Sequence, residues 1–73
     1  MSTNEVLKIF GQNLHKARIN AKLSLKELSE MTQINEKYLK RIEEGTAFGL
    51  PVSYVFMLSQ ALKTKAYILC DGL

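Results

Sequence analysis

The stretch Leu23–Gly45, LSLKELSEMTQINEKYLKRIEEG, decides how this chain folds. It opens on Ser24-Leu25-Lys26-Glu27, which has the form of a capping box. The Ser24 hydroxyl can accept from the backbone N–H three residues on, and the Glu27 carboxylate can reach back to the N–H of Ser24. A helix therefore starts at Leu25 and is expected to carry Leu28 and Met31 inward. It is short, because Thr32-Gln33-Ile34-Asn35 interrupts it. Asn35 is a good N-cap for a second helix, with Glu36 favourably placed at its positive end. That helix, about 36–44, buries Tyr38, Leu39 and Ile42, and Gly45 ends it.

Working outward, Leu7, Phe10, Leu14, Ala17 and Ala21 recur three or four residues apart. They read as the inward face of a helix over about 4–21. His15 lies among the polar residues between them and reads as a surface side chain. Downstream, Gly45 to Leu50 is a loop, and Pro51 is placed to open a helix over about 51–62. Within it Tyr54 to Leu58 are five consecutive apolar residues, more than one stripe takes. Ala66 to Cys70 is too short and too apolar for its periodicity to choose between helix and strand. The expected fold is all-α: one compact four- to five-helix bundle spanning residues 1–73.

With 73 residues there is room for one domain. A single cysteine, Cys70, excludes a disulfide within the chain, and no Cys/His cluster is spaced to hold a metal. No cofactor is expected. Met1 opens a polar stretch without the look of a secretory signal. The most apolar segment, Tyr54 to Cys70, is broken by Gln60, Lys63 and Lys65, short of the roughly 20 apolar residues a bilayer span needs. The expected setting is cytoplasmic, without a membrane partner. The net charge of +3 is unevenly spread: residues 14–26 carry +4, while 27–32 carry −2. That bias suits nucleic acid or another anionic surface.

Two short helices joined by a tight turn, over 25–44, form a helix-turn-helix unit. Ser29 supplies the small residue where the helices approach, and Leu28, Ile34, Leu39 and Ile42 the apolar contacts. The segments Leu14 to Arg18, Leu23 to Ser29 and Tyr38 to Gly45 together resemble the core of the Cro/C1-type (XRE) DNA-binding family. The resemblance covers about residues 9–69 and implies a lambda-repressor-like domain. It implies an ion pair between Arg18 and Glu43, tying the recognition helix to the first helix. It also implies double-stranded DNA as partner, the 36–44 helix entering the major groove of an operator as a repressor-type transcriptional regulator.

On a helical projection Glu36, Lys37, Lys40, Arg41 and Glu44 face away from the buried side. By resemblance Glu36, Lys37 and Arg41 are the candidates for base edges: the two cations could donate to guanine and Glu36 could accept from cytosine. Lys40 is the foremost phosphate candidate, followed by Lys16, Lys22 and Lys26. Two positions depart from the family pattern. Gln33 stands where a left-handed Gly is frequent, and Leu25 where a phosphate-binding Gln is frequent. A second resemblance joins Thr32-Gln33-Ile34, Lys37-Tyr38-Leu39, Glu43-Glu44-Gly45 and Leu50-Pro51 to the cytoplasmic domain of RodZ-type cell-shape proteins. There the fold docks a protein, although Ala47 replaces an aromatic common in their loop. A protein partner, such as a toxin or a cytoskeletal protein, therefore stays open beside DNA.

An enzyme is not expected. Glu43 and Glu44 point about 100° apart on their helix and make no carboxylate dyad. No Ser/His/Asp or Cys/His set accompanies them, and no glycine-rich phosphate loop. The surplus apolar residues Tyr54, Val55, Phe56 and Met57, with Tyr67, Ile68 and Leu69, predict a two-fold homodimer through 51–73. The alternative is a tail that folds back over the fourth helix within one chain.

Overall fold

In the computed structural model, which describes residues 2–73, five helices run in order: α1 (Thr3–Asn20), α2 (Leu25–Thr32), α3 (Glu36–Glu44), α4 (Val52–Ala61) and α5 (Ala66–Leu69). Local chemistry sets most of their ends. Ser2 caps α1 by accepting from Glu5 N–H at 3.2 Å. The capping box of α2 is complete: Glu27 N–H donates to Ser24 Oγ at 3.0 Å, and Ser24 N–H to Glu27 Oε1 at 2.9 Å. Asn35 caps α3, and Gly45 closes it in a left-handed conformation with φ 79°. Pro51 stands at the cap position of α4, one residue before its first turn. The segment 66–70 is helical through Leu69, which resolves the choice left open by its composition.

α1 packs against α3 and α5, α2 against α3 and α4, and α4 against α5. Phe10, Leu14, Leu28, Ile34, Leu39, Ile42, Ala47, Leu58, Leu62 and Leu69 form the core they share. Two expectations about burial fail. Met31 is exposed. The buried side of α2 is set by Leu28 and Thr32 with half-buried Leu25, which leaves Met31 about 100° away around the helix. Ala21 is exposed at the end of α1, because the helix stops one residue short of the expected 21.

The turn between α2 and α3 is held by side chains. The Ser29 hydroxyl donates to the Ile34 carbonyl, and Thr32 Oγ1 donates to the Leu28 carbonyl at 2.8 Å. Gln33, the residue in the frequent glycine position, is left-handed with φ 61°. A non-glycine residue there is strained by about 1–2 kcal/mol. Gln33→Gly relieves that strain but makes the unfolded chain freer, so a net gain of about 0.5 kcal/mol is expected. A thermal melt should rise by a few degrees; a fall would mean that the Gln33 side chain stabilises the turn more than its backbone strains it.

Candidate nucleic-acid interface

α3 is positioned by what lies beneath it. Leu39 and Ile42 are buried, and Tyr38 is half-buried with its ring edge-on to Tyr54 of α4, centroids 5.8 Å apart at 80°. The opposite side carries Glu36, Lys37, Lys40, Arg41 and Glu44, all exposed as the projection implies. At about 100° per residue, Glu44 stands at the crest with Lys37 and Lys40 beside it. Glu36 falls toward the flank of Glu43 and α1, and Arg41 toward the flank of Tyr38 and α4.

α3 meets α1 at three places. At Gly11 the helices nearly touch: a Cβ there would lie 2.3 Å from the Ile42 carbonyl oxygen and 2.7 Å from that of Glu43. Seven residues on, Arg18 Nε donates to Glu43 Oε2 at 2.6 Å and Nη2 to Glu43 Oε1 at 3.2 Å, while Nη1 donates to the Leu23 carbonyl at 2.8 Å. The Arg18 and Glu43 side chains are only 11% and 9% exposed, so the pair is a buried tie between helices. At the rim His15, 53% exposed, sets Nδ1 2.8 Å from Glu43 Oε1. That spacing calls for a proton on Nδ1, which donates to the carboxylate. His15 thus lies at the surface, as its context suggested, and from there adds a third member to the tie.

Sequence reasoning passed over Gly11. The available signal was a glycine at a core-facing helix position, four residues after Leu7 and three before Leu14, which marks close backbone approach. It also passed over Lys8, whose Cα and Cγ would lie 2.9 Å from a Cβ on Gly45, beside the end of α3.

Of the other cations, Lys22 sits in the α1–α2 turn with φ 59°, and Lys26 in the first turn of α2, both exposed. Lys16 stands apart from the set. It lines a shallow groove with Asn13, Ala17, Leu62, Ile68 and Asp71, about 120° around α1 from the α3-facing side.

The C-terminal segment also differs from expectation. Leu69 is fully buried, so it cannot belong to a subunit interface in this fold. α5 folds back between α1 and α4, and Asn13 Nδ2 clasps it by donating to the Leu69 and Asp71 carbonyls at 2.9 and 2.8 Å. Tyr54, Val55 and Met57 are half-buried against the core. Phe56, Tyr67 and Ile68 remain exposed. Phe48 and Val52, not foreseen from the sequence, are exposed as well.

The family model for the helix-turn-helix domain matches residues 11–71. The chain belongs to the helix-turn-helix domain family. Among solved structures it is similar to the restriction-modification controller protein C.AhdI from Aeromonas hydrophila, with a TM-score of 0.81 and 25% identity over 86% of this chain and 94% of that one. It is also similar in fold to a hypothetical transcription factor, NHTF, from Neisseria, with a TM-score of 0.83 and 20% identity over 96% of this chain and 79% of that one. No curated protein matches the chain. Neither structural likeness is to a RodZ-type protein. Among the described residues, no cluster of His, Cys, Asp or Glu could hold a metal ion, and no helix is long and apolar enough to cross a membrane.

Proposed function

We propose that this helix-turn-helix domain is a sequence-specific, repressor-type transcriptional regulator of the cytoplasm, a binding protein and not an enzyme. The observation that carries this reading is α3 itself. Its outward side is wholly charged, and its inward side is locked to α1 through Gly11 and the Arg18–Glu43 pair. A helix held that rigidly can present side chains to base edges in the major groove. C.AhdI, a restriction-modification controller by name, supports a regulatory role by likeness. Selection of bound duplexes from a random DNA pool at low salt tests the proposal. Enrichment of a palindrome is expected, and a pool that stays random sinks it.

Within this reading Glu36, Lys37 and Arg41 contact bases, and Lys40, Lys22 and Lys26 contact phosphates, with Lys16 the least favoured by its position. Arg41→Ala is expected to cost about 1–3 kcal/mol on the preferred site and to relax one base preference. Lys40→Ala should weaken all sequences alike and reduce the slope of log K against log salt by about one. Titrations on preferred and scrambled duplexes at several salt concentrations separate the two. Equal, sequence-independent losses would remove Arg41 from base readout.

A domain this small reads few base pairs, so useful specificity favours a two-fold dimer. No charged residue lies between Glu44 and Lys63, yet Phe48, Val52 and Phe56 are 67%, 71% and 55% exposed there. Two copies of a basic chain can meet across such a surface without like-charge repulsion. The interface is centred on Val52 and Phe56 of α4, which share a helix face; Tyr67, with Lys65 over its ring at 5.8 Å, and Ile68, in the groove beside Lys16, lie outside that uncharged stretch. Sedimentation equilibrium at micromolar concentration should return a dimer mass, and Phe56→Glu should weaken association at least tenfold, the equivalent of about 1.4 kcal/mol. A parent of monomer mass would instead favour a protein partner on this face.

A further inference from the structure

The chain's single histidine, His15, stands on the rim between α1 and α3. The side chain is 53% exposed, yet its Nδ1 meets a carboxylate that is only 9% exposed. Because Glu43 holds a proton on Nδ1, the nitrogen left to gain or lose one is Nε2. From α1, Arg18 sets Nη2 3.3 Å from Nδ1, and Lys8 lies two turns earlier on the same stripe. Lys22 follows in the turn after α1. From α3, Glu43 faces the ring, and Glu36 falls toward the same flank. Arg18 and Glu43 neutralise each other, which leaves exposed Lys8 and Lys22 against exposed Glu36. Lys8 lies against Gly45, so basic residues line the rim past the C-terminal end of α3.

We propose that His15 takes up a proton when the domain binds DNA, its Nε2–H donating to a backbone phosphate. This deepens the DNA-binding reading and rests on it. A recognition helix enters the groove with its N-terminal residues on the bases, so its C-terminal end and the side chains beside it lie nearest the phosphates. A phosphate oxygen only accepts hydrogen bonds. The neutral ring, with its Nδ1–H committed to Glu43, would set the bare lone pair of Nε2 against that oxygen. The imidazolium presents Nε2–H and a positive charge instead, which makes a charge-assisted bond. The proton comes from solvent, and Glu43 keeps the Nδ1 proton in either state. Imidazole is the side chain whose charge changes between about pH 5 and 8. Since the complex favours the protonated ring, DNA binding is strongest on the acid side of that window and weakens as pH rises through it.

The competing account is that protonation only tightens the bond to Glu43 and so steadies α3. Titrations of preferred and scrambled duplexes at about pH 6 and about pH 8, each at several salt concentrations, separate the two. The parent should bind both duplexes about tenfold more tightly at the lower pH. Its slope of log K against log salt should be steeper there by about one. His15→Gln keeps a donor for Glu43 and cannot take a proton, so at both pH values it should behave as the parent does at the higher one. His15→Lys is charged throughout and should match the parent at the lower pH. Circular dichroism checks that each variant folds, and the parent's own pH and salt response decides even where one does not. A pH effect on the preferred duplex alone, with an unchanged salt slope, supports the steadied helix and overturns the phosphate contact. A parent that binds DNA equally at both pH values also overturns it and leaves the DNA-binding reading standing. A parent that binds no duplex at either pH overturns that reading, and this inference with it.

Discussion

Gly11→Ala is expected to destabilise the domain by roughly 3 kcal/mol or more, the upper end of what overpacking costs. Intrinsic propensity points the other way, since alanine in a helix interior is favoured over glycine by about 1 kcal/mol. The clash outweighs it because the new methyl would meet the Ile42 and Glu43 carbonyl oxygens at 2.3 and 2.7 Å, and these are backbone atoms that no rotamer change can move. α1 and α3 must separate, which also pulls Arg18 away from Glu43. In a domain this small each kcal/mol shifts the melting midpoint by about 4–8 °C. A fall of more than 10 °C should be visible by circular dichroism. Gly49→Ala is the control: φ there is also positive, at 72°, but nothing lies within 4 Å of a Cβ, so only backbone strain of about 1–2 kcal/mol is added. If both variants melt alike, the close approach at Gly11 is not what holds the helices together.

Removing either partner of the Arg18–Glu43 pair should have the second large effect. Arg18→Met leaves the Glu43 carboxylate with His15 alone and strands the Leu23 carbonyl, at a cost of about 3–5 kcal/mol. Glu43→Gln is expected to cost less, because the amide oxygen can still accept from the guanidinium. The combination Arg18→Met with Glu43→Leu removes both charges. It should be clearly less destabilised than the sum of Arg18→Met and Glu43→Leu measured singly. Urea unfolding of the four proteins supplies the cycle. Strict additivity, or single variants melting within a degree or two of the parent, would show the pair to be superficial despite its burial. Either large effect should also weaken DNA binding indirectly, since the same contacts orient α3.

The sequence by itself determined the order of the first four helices, the caps of α2 and α3, and the turn between them. These depend on residues three or four apart: Ser24 with Glu27, Asn35 with Lys37, and Gln33 and Gly45 at positions that need a left-handed backbone. Apolar spacing of three and four residues placed most of the core for the same reason. The Arg18–Glu43 pair was legible only through family resemblance, because 25 residues separate its members. Tertiary structure alone decided the rest. Met31 is exposed because its neighbours on α2 claimed the core, and no pattern within eight residues could choose the centre of that arc. Leu69 is buried because Asn13, 56 residues earlier, holds α5 against α1, so an apolar tail that could have met a partner was taken into its own core. His15 joined the tie for a like reason, since its partner belongs to another helix. Periodicity tells which side of a helix is apolar, but only the packed neighbours decide which side chains that surface covers and which it leaves to solvent or to a partner.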